Sequence, residues 1–186
     1  MLDPDQGNTL LQLARAAIAQ ALSFDSHELP RSDWLEKPGA TFVTLTLRGQ
    51  LRGCIGSLEA HRPLIDDVRQ NAVVAALRDP RFSPLSKAEF AEVVVEVSLL
   101  SAPEPISFSS EADALAQLHP SRDGVILEYG AHRATFLPQV WAQLPDPRTF
   151  IAHLKNKAGL PDGFWSDEIR LSRYTVQKWS EEKHHG

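Results

Sequence analysis

The segment best suited to chemistry is Leu51–Ser57, and it contains Cys54, the single cysteine of the chain. Side chains alternate along a strand, so we expect Arg52 and Cys54 to share one face. On the same pattern, Leu51 and Ile55 point to the core. A guanidinium close to a thiol favours the thiolate, which is the nucleophilic form of cysteine. The segment therefore predicts a thiol that faces a polar site.

The two glycines of this segment, Gly53 and Gly56, weaken a strand and let a ligand approach the backbone. We predict that both contribute to ligand binding. Two hypotheses stay open for Cys54, which is either a catalytic or redox thiol or a small buried side chain in a tight hairpin. His61 is either the base of a Cys–His pair or an exposed loop residue.

Four further polar residues are candidates for the same site, namely Asn71, Asp79, Arg81 and Glu96. Arg81 suits a carboxylate or phosphate ligand, or else it pairs locally with Asp79. Asn71 points either to a cleft or to the surface. A carboxylate on a central strand is costly unless paired. We therefore expect Glu96 to pair with an arginine such as Arg52 or Arg81, to reach solvent, or to handle protons.

The elements that position these residues follow from hydrophobic periodicity. Apolar residues at helical spacing predict helices, and alternating residues predict strands. The predicted helices cover 9–22, 63–78, 110–118 and 147–158, with one short helical turn at 86–90. The predicted strands cover 41–47, 51–57, 93–100, 124–129, 133–136 and 169–179.

This order of elements predicts an α+β fold, since hairpins are local and strands and helices are mixed. We expect an antiparallel sheet with flanking helices, a smaller α/β lobe, and a cleft between them. The proline-rich stretch 102–105 marks the boundary. The chain is then one domain, 1–186, with one lobe over 1–102 plus the final strand 169–179 and a second lobe over 103–168.

Composition excludes several function classes. The net charge of −5 argues against nucleic-acid binding, which needs a basic surface, and against docking on anionic membranes. A membrane span needs about 20 apolar residues, and no such run occurs. A lone cysteine and no visible signal peptide indicate the cytoplasm. The histidines lack metal-ligand spacing, so we expect no metal. His184 and His185 form either a solvated tail or a cloning remnant.

Taken together, these segments resemble the AMMECR-type family, known in prokaryotes as AmmeMemoRadiSam system protein A. The signature Leu51–Gly56 is intact, and further pieces match in order along nearly the whole chain. These pieces are Asn71-Ala72, Asp79–Phe82, Pro84-Leu85, Glu96–Ser101, Pro103, Asp123–Val125, Phe136–Trp141, Lys157–Gly159 and Trp165.

The resemblance implies an α+β fold with two lobes, a cleft near the signature strand, and two partners, a Memo-type protein and a radical-SAM enzyme. We expect no cofactor. Three functions stay open. In the first, the chain is an accessory protein whose polar cleft binds a small anionic molecule or a partner peptide. In the second it is a thiol-dependent enzyme, and in the third it is a non-catalytic interaction scaffold. In the enzyme hypothesis, Cys54 is the nucleophile or redox residue and Glu96 handles protons.

Overall fold

Two four-stranded antiparallel sheets, flanked by helices, confirm the α+β fold class. The computed structural model describes residues 1–29 and 31–182. The helices are α1 (Pro4–Ala21), α2 (Asp33–Glu36), α3 (Leu64–Leu77), α4 (Lys87–Glu92), α5 (Glu111–Gln117) and α6 (Pro147–Lys157), with a 3-10 helix over Pro138–Ala142. The strands are β1 (Ala40–Leu47), β2 (Gln50–Gly56), β3 (Val94–Leu100), β4 (Glu104–Pro105), β5 (Gly124–Tyr129), β6 (His132–Phe136), β7 (Arg170–Tyr174) and β8 (Val176–Ser180).

The chain divides into two compact units. The first is Met1–Leu100 with the chain from Gln177 onward, and the second is Ser101–Val176. The first unit holds the sheet ordered β2-β1-β3-β8, and its core packs α1 and α3 against one face of that sheet. The second unit holds the sheet ordered β4-β7-β5-β6 and has a core of its own.

Helix α1 begins at Pro4, ahead of the predicted start at Thr9. The reason is a capping box in which the Asp3 carboxylate accepts the Gln6 N–H while the Gln6 side chain accepts the Asp3 N–H. Pro4 fits the first helical position because its missing N–H needs no partner there. The apolar residues at helical spacing that predict this helix are buried at Leu10, Leu13, Ala14, Ala17 and Ile18. The last of them, Ala21, is exposed at the end of the helix.

Two candidate residues of the first sheet, Cys54 and Glu96, lie on its face away from the helices. Val43 and Leu45 of β1 and Val95 of β3 are fully buried on the helix side. Residues between them in sequence, such as Thr44 and Glu96, occupy the opposite face because side chains alternate along a strand. The Cα atoms of Thr44 and Glu96 are direct cross-strand partners, so both side chains lie on that face.

The β1–β2 hairpin contains a bulge that the sequence did not reveal. Its two turn residues, Arg48 and Gly49, both have positive φ, at 52° and 79°, as expected for the tightest hairpin turns. Further along β2, Leu51 lies opposite Thr46, and Arg52 has no partner in β1 because the register shifts there. The extra residue reverses the alternation. Leu51 therefore leaves the core side and is 45% exposed, so its predicted burial is wrong.

In the second unit, two predicted helix starts are confirmed. Ser110 and Asp146 each accept a backbone N–H from the first turn, of α5 and α6 respectively. The core is organised around Trp141, whose ring stacks on that of Phe150 with centroids 3.7 Å apart. The indole N–H of Trp141 is satisfied by the backbone carbonyl of Asp123 at 2.7 Å.

The single strand predicted over 169–179 is two strands. Arg170–Tyr174 pairs with β5 in the second sheet, and Val176–Ser180 is the outer strand beside β3 in the first sheet. Thr175 separates the two strands and donates its N–H to the Ser101 side chain. Alternation of side chains continues through such a junction, so periodicity alone does not locate it.

Two further observations concern the described residues only. Within 1–29 and 31–182, no helix is long and apolar enough to cross a membrane. In the same ranges, no three His, Cys, Asp or Glu side chains cluster as a metal site would require. His184 and His185 lie outside the described residues.

Candidate functional site

Cys54 lies in the middle of β2 and is half-buried. Its Sγ atom is 3.3 Å from the Thr44 hydroxyl oxygen, across the hairpin. Thr44 is the cross-strand partner of both Cys54 and Glu96, so the three residues form one row on the same face of the sheet. The thiol is therefore not enclosed in the aliphatic core, and it contacts a hydroxyl. His61, the candidate base, is exposed and contacts the Glu59 carbonyl through Nδ1.

Asp79 connects the backbone of Cys54 to Arg81. One carboxylate oxygen, Oδ2, accepts the Cys54 N–H at 3.0 Å and Nη2 of Arg81 at 2.7 Å. The other, Oδ1, accepts Nε of Arg81 at 3.0 Å and its backbone N–H at 3.1 Å. Arg81 completes the ring by donating from Nη2 to the Cys54 carbonyl at 3.2 Å. The predicted local pair of Asp79 and Arg81 is thus present, and it is joined to the signature strand.

The local sequence explains this geometry. Helix α3 ends at Leu77, and a residue before proline avoids the helical region, so Pro80 forces Asp79 out of the helix. The chain then turns back, with the Phe82 N–H bonded to the Asp79 carbonyl. This turn places the Asp79 side chain inward, where only 2% of it is exposed.

In the Asp79–Arg81 pair, the carboxylate is buried and the guanidinium is exposed. Hydrogen bonds from Arg81 hold the pKa of the Asp79 carboxyl well below its usual range, aided by the backbone N–H groups of Cys54 and Arg81 and opposed by burial. The same contacts raise the pKa of Arg81. The Arg81 side chain is 54% exposed, and among the described residues its Nη1 has no hydrogen-bond partner. A fixed, permanently charged donor is therefore presented to solvent next to Cys54.

Arg52 does not extend this charge toward the thiol, contrary to the prediction that it shares the face of Cys54. It sits at the bulge, and its guanidinium makes a bidentate pair with Glu89 of α4, at 2.9 and 3.0 Å. Within the described part of the chain, no hydrogen bond or ion pair links Arg52 to Cys54. Hydrogen bonds from Arg52 and then from the Ser86 N–H lower the pKa of Glu89 to about 2.

Asn71 belongs to a second polar cluster, whose centre is the fully buried Asp67. Oδ2 of Asp67 accepts the N–H and the hydroxyl of Thr41, both at 2.7 Å, and Nδ2 of Asn71 at 3.1 Å. Oδ1 accepts the Ser57 hydroxyl and Nε of Arg62, again both at 2.7 Å. Asn71 is therefore held inside the fold by α3 and β1. It faces neither the surface nor Cys54.

Glu96 pairs with neither predicted arginine. Its carboxylate lies 3.3 Å from Nζ of Lys178 on β8, the outer strand on the other side of β3. The prediction of an Arg52 or Arg81 partner is wrong because both guanidinium groups are held by other carboxylates at the far edge of the sheet. Two strand spacings, about 10 Å, separate Glu96 from Cys54, which is beyond direct hydrogen-bond reach.

The two signature glycines have packing reasons of their own. A Cβ on Gly53 would lie 2.1 Å from the backbone carbonyl oxygen of Ala75, so α3 approaches the sheet only where this side chain is missing. A Cβ on Gly56 would overlap the Phe42 ring, at 2.2 Å. These contacts explain the two glycines without a ligand, although ligand binding at either position stays a prediction.

Comparisons with known proteins show the family of this chain. The AMMECR1 family profile matches residues 11–179. This chain belongs to the AMMECR1 family. The resemblance noted from the signature segment is therefore confirmed. A protein from Methanothermobacter thermautotrophicus is 39% identical to it over 97% of each chain. One from Sulfolobus acidocaldarius is 37% identical, over 93% of this chain and 80% of the other.

A solved structure has the same fold. The crystal structure of the uncharacterised protein PH0010 from Pyrococcus horikoshii matches with a TM-score of 0.85 and 33% identity. The match covers all of this chain and 96% of that one. The family and the fold are thus fixed, and the chemistry of the AMMECR1 site must be argued from its own side chains.

Sequence reasoning missed the Asp67 cluster and the Arg52–Glu89 pair. Asp67 suits a helix N-terminus by its charge, and its spacing of one helical turn from Asn71 is the signal that could have indicated a shared partner. Ser86 and Glu89 have the spacing of a capping box, and both capping bonds are present. The sequence carries no signal for the bulge that brings Arg52 to Glu89.

Proposed function

We propose that this AMMECR1-family protein is a binding component of a Memo/radical-SAM modification system. Its contact point is the exposed guanidinium of Arg81 beside Cys54, and the group it binds is a carboxylate or phosphate. The partners come from the family resemblance, and the lone cysteine favours a cytoplasmic location. The observation that carries the proposal is the double tie made by Asp79, which fixes Arg81 and Cys54 relative to each other.

Preorganisation supports binding at this point. A free arginine side chain loses rotamer entropy when it captures an anion, whereas Arg81 is already held through Nε and Nη2. Its Nη1 keeps a donor available, and a charge-assisted hydrogen bond is stronger than a neutral one. The neighbouring thiol and the Thr44 hydroxyl offer further weak polar contacts. These features suit recognition of one anionic group.

Isothermal titration against the Memo-type protein and, under anaerobic conditions, the radical-SAM enzyme of the same organism tests this proposal. We expect Arg81→Gln to weaken binding to one of them by about 10- to 100-fold, the usual value of a charge-assisted hydrogen bond. Arg48→Gln is the matched control because Arg48 lies on the same hairpin in an exposed ion pair with Glu92. Absence of binding by the unaltered protein, or equal affinity of both variants, would overturn the proposal.

A thiol-dependent enzyme is the second candidate, favoured by the partial exposure of Cys54 and its contact with the Thr44 hydroxyl. In this case Glu96 needs an intermediary to exchange protons with the thiol, and Thr44 lies between them in the row. Cys54→Ser separates the candidates. An enzyme loses turnover with that variant, while a binding component keeps its affinity for the partner.

A further inference from the structure

The outer edge of β2 is occupied by side chains where a neighbouring strand would otherwise pair. β2 is the outermost strand of the first sheet. In an antiparallel pair, the N–H and C=O of one residue point to the same side. Both groups of Cys54 are bonded from outside the sheet, the N–H by the Asp79 carboxylate and the C=O by the Arg81 guanidinium. Asp79 and Arg81 together thus supply the acceptor and the donor that another strand would supply.

The segment that follows continues along the same strand. Glu89 binds Arg52 in the middle of β2, and Glu92 binds Arg48 in the hairpin turn, at 2.9 Å. Leu85 anchors the segment, since it is buried in the core and donates its N–H to the Ala76 carbonyl at 2.8 Å. We name Asp79–Glu92 the edge strap, because its contacts follow β2 from Cys54 back to the turn.

We infer that the edge strap closes the outer edge of β2 against pairing with β2 of a second copy of this chain, and that Asp79 is its decisive contact. An open, glycine-containing edge strand is a ready template for strand pairing. Leu51, one of the few exposed large hydrophobic residues described, lies on this strand and would be covered in such a pair. The inference does not depend on a ligand or partner at Arg81.

The unaltered protein provides the first test, through amide hydrogen exchange followed by NMR. Gly56 has the same orientation in β2 as Cys54, because its partner Phe42 is two residues from Thr44 in β1. It lies beyond the edge strap, and no acceptor for its N–H is found among the described residues. We expect the Cys54 amide to exchange at least about tenfold more slowly than that of Gly56. Equal rates would overturn the inference.

The second test uses Asp79→Ala and Asp79→Asn, with Arg31→Gln as control because the exposed Arg31–Glu36 pair lies outside both β2 and the edge strap. Asp79→Ala removes the acceptor, so the Cys54 amide should exchange about tenfold faster and sedimentation velocity should show a concentration-dependent dimer. Asp79→Asn keeps an acceptor oxygen and should dimerise less. Arg31→Gln should stay monomeric. A monomeric Asp79→Ala variant over the whole concentration range, or a dimer that forms equally with Arg31→Gln, would contradict the inference. If Asp79→Ala fails to fold, the Asp79→Asn comparison and the Gly56 reference decide.

Discussion

Replacing Asp79 by alanine should destabilise the protein through the loss of charge-assisted hydrogen bonds to the backbone. The substitution removes the acceptor of the part-buried N–H groups of Cys54 and Arg81, and a hydrogen bond to a charged group contributes about 1.5–3 kcal/mol. The loss of the ion pair adds little, about 0–1 kcal/mol, because Arg81 is more than half exposed and becomes hydrated. We therefore expect the free energy of unfolding to fall by about 1–4 kcal/mol. Asp79→Asn keeps an oxygen acceptor of similar size and should lose about 1 kcal/mol.

Urea unfolding followed by circular dichroism measures this difference. The midpoint should fall in the order unaltered protein, Asp79→Asn, Asp79→Ala, at constant slope, because the surface exposed on unfolding does not change. Arg48→Gln breaks an exposed pair and should stay within about 0.5 kcal/mol of the unaltered protein. An Asp79→Ala variant as stable as Arg48→Gln would refute the argument that Asp79 holds the signature strand.

Three further predictions concern pH, packing and the buried carboxylate. The pKa of Glu89 is about 2 in the folded protein, below its ordinary value of 4.5, and the pKa of Asp79 is lowered as well. The stability that these two carboxylates contribute is therefore fully present above pH 4.5, and it is lost as the pH falls through their folded-state pKa values. Acid titration of thermal stability should show this loss, and Glu89→Gln should reduce it. Gly53→Ala should lose at least about 2 kcal/mol in urea unfolding because its Cβ meets backbone, whereas Gly163→Ala, in open space, should change little. Asp67→Ala should cost about 3–5 kcal/mol in the same assay, and a loss below 1 kcal/mol would contradict its role as the common acceptor.

The fold was largely predictable because it depends on local, repeated signals. Alternation in Thr41–Leu47 and the Arg48-Gly49 turn specify the hairpin, and Asp146 and Ser110 specify helix starts by accepting backbone N–H groups. The errors arose at single residues that interrupt a pattern. The bulge at Arg52 puts Leu51 on the face opposite to the one that alternation predicts, and Thr175 divides one alternating run into strands of two different sheets.

The structure brings some of the predicted site residues together and separates others. Cys54, Asp79 and Arg81 come together because a proline-terminated helix returns its next residues to the adjacent strand. Which ion-pair or hydrogen-bond partner a side chain takes depends on distances in the folded protein, and spacing along the chain does not give these distances. Glu96 therefore pairs with Lys178, and Asn71 hydrogen-bonds to the buried Asp67.

The most direct test of the proposed binding point is a titration of the ¹⁵N-labelled protein with the two proposed partners, the Memo-type protein and the radical-SAM enzyme, followed through the Arg81 Nε–H and Cys54 amide signals. One partner should shift both signals together, since a single carboxylate connects the two groups, and Asp79→Asn should uncouple them. The proposal would be contradicted if saturation with each of the two partners in turn left both signals in place, with shifts confined to other parts of the chain.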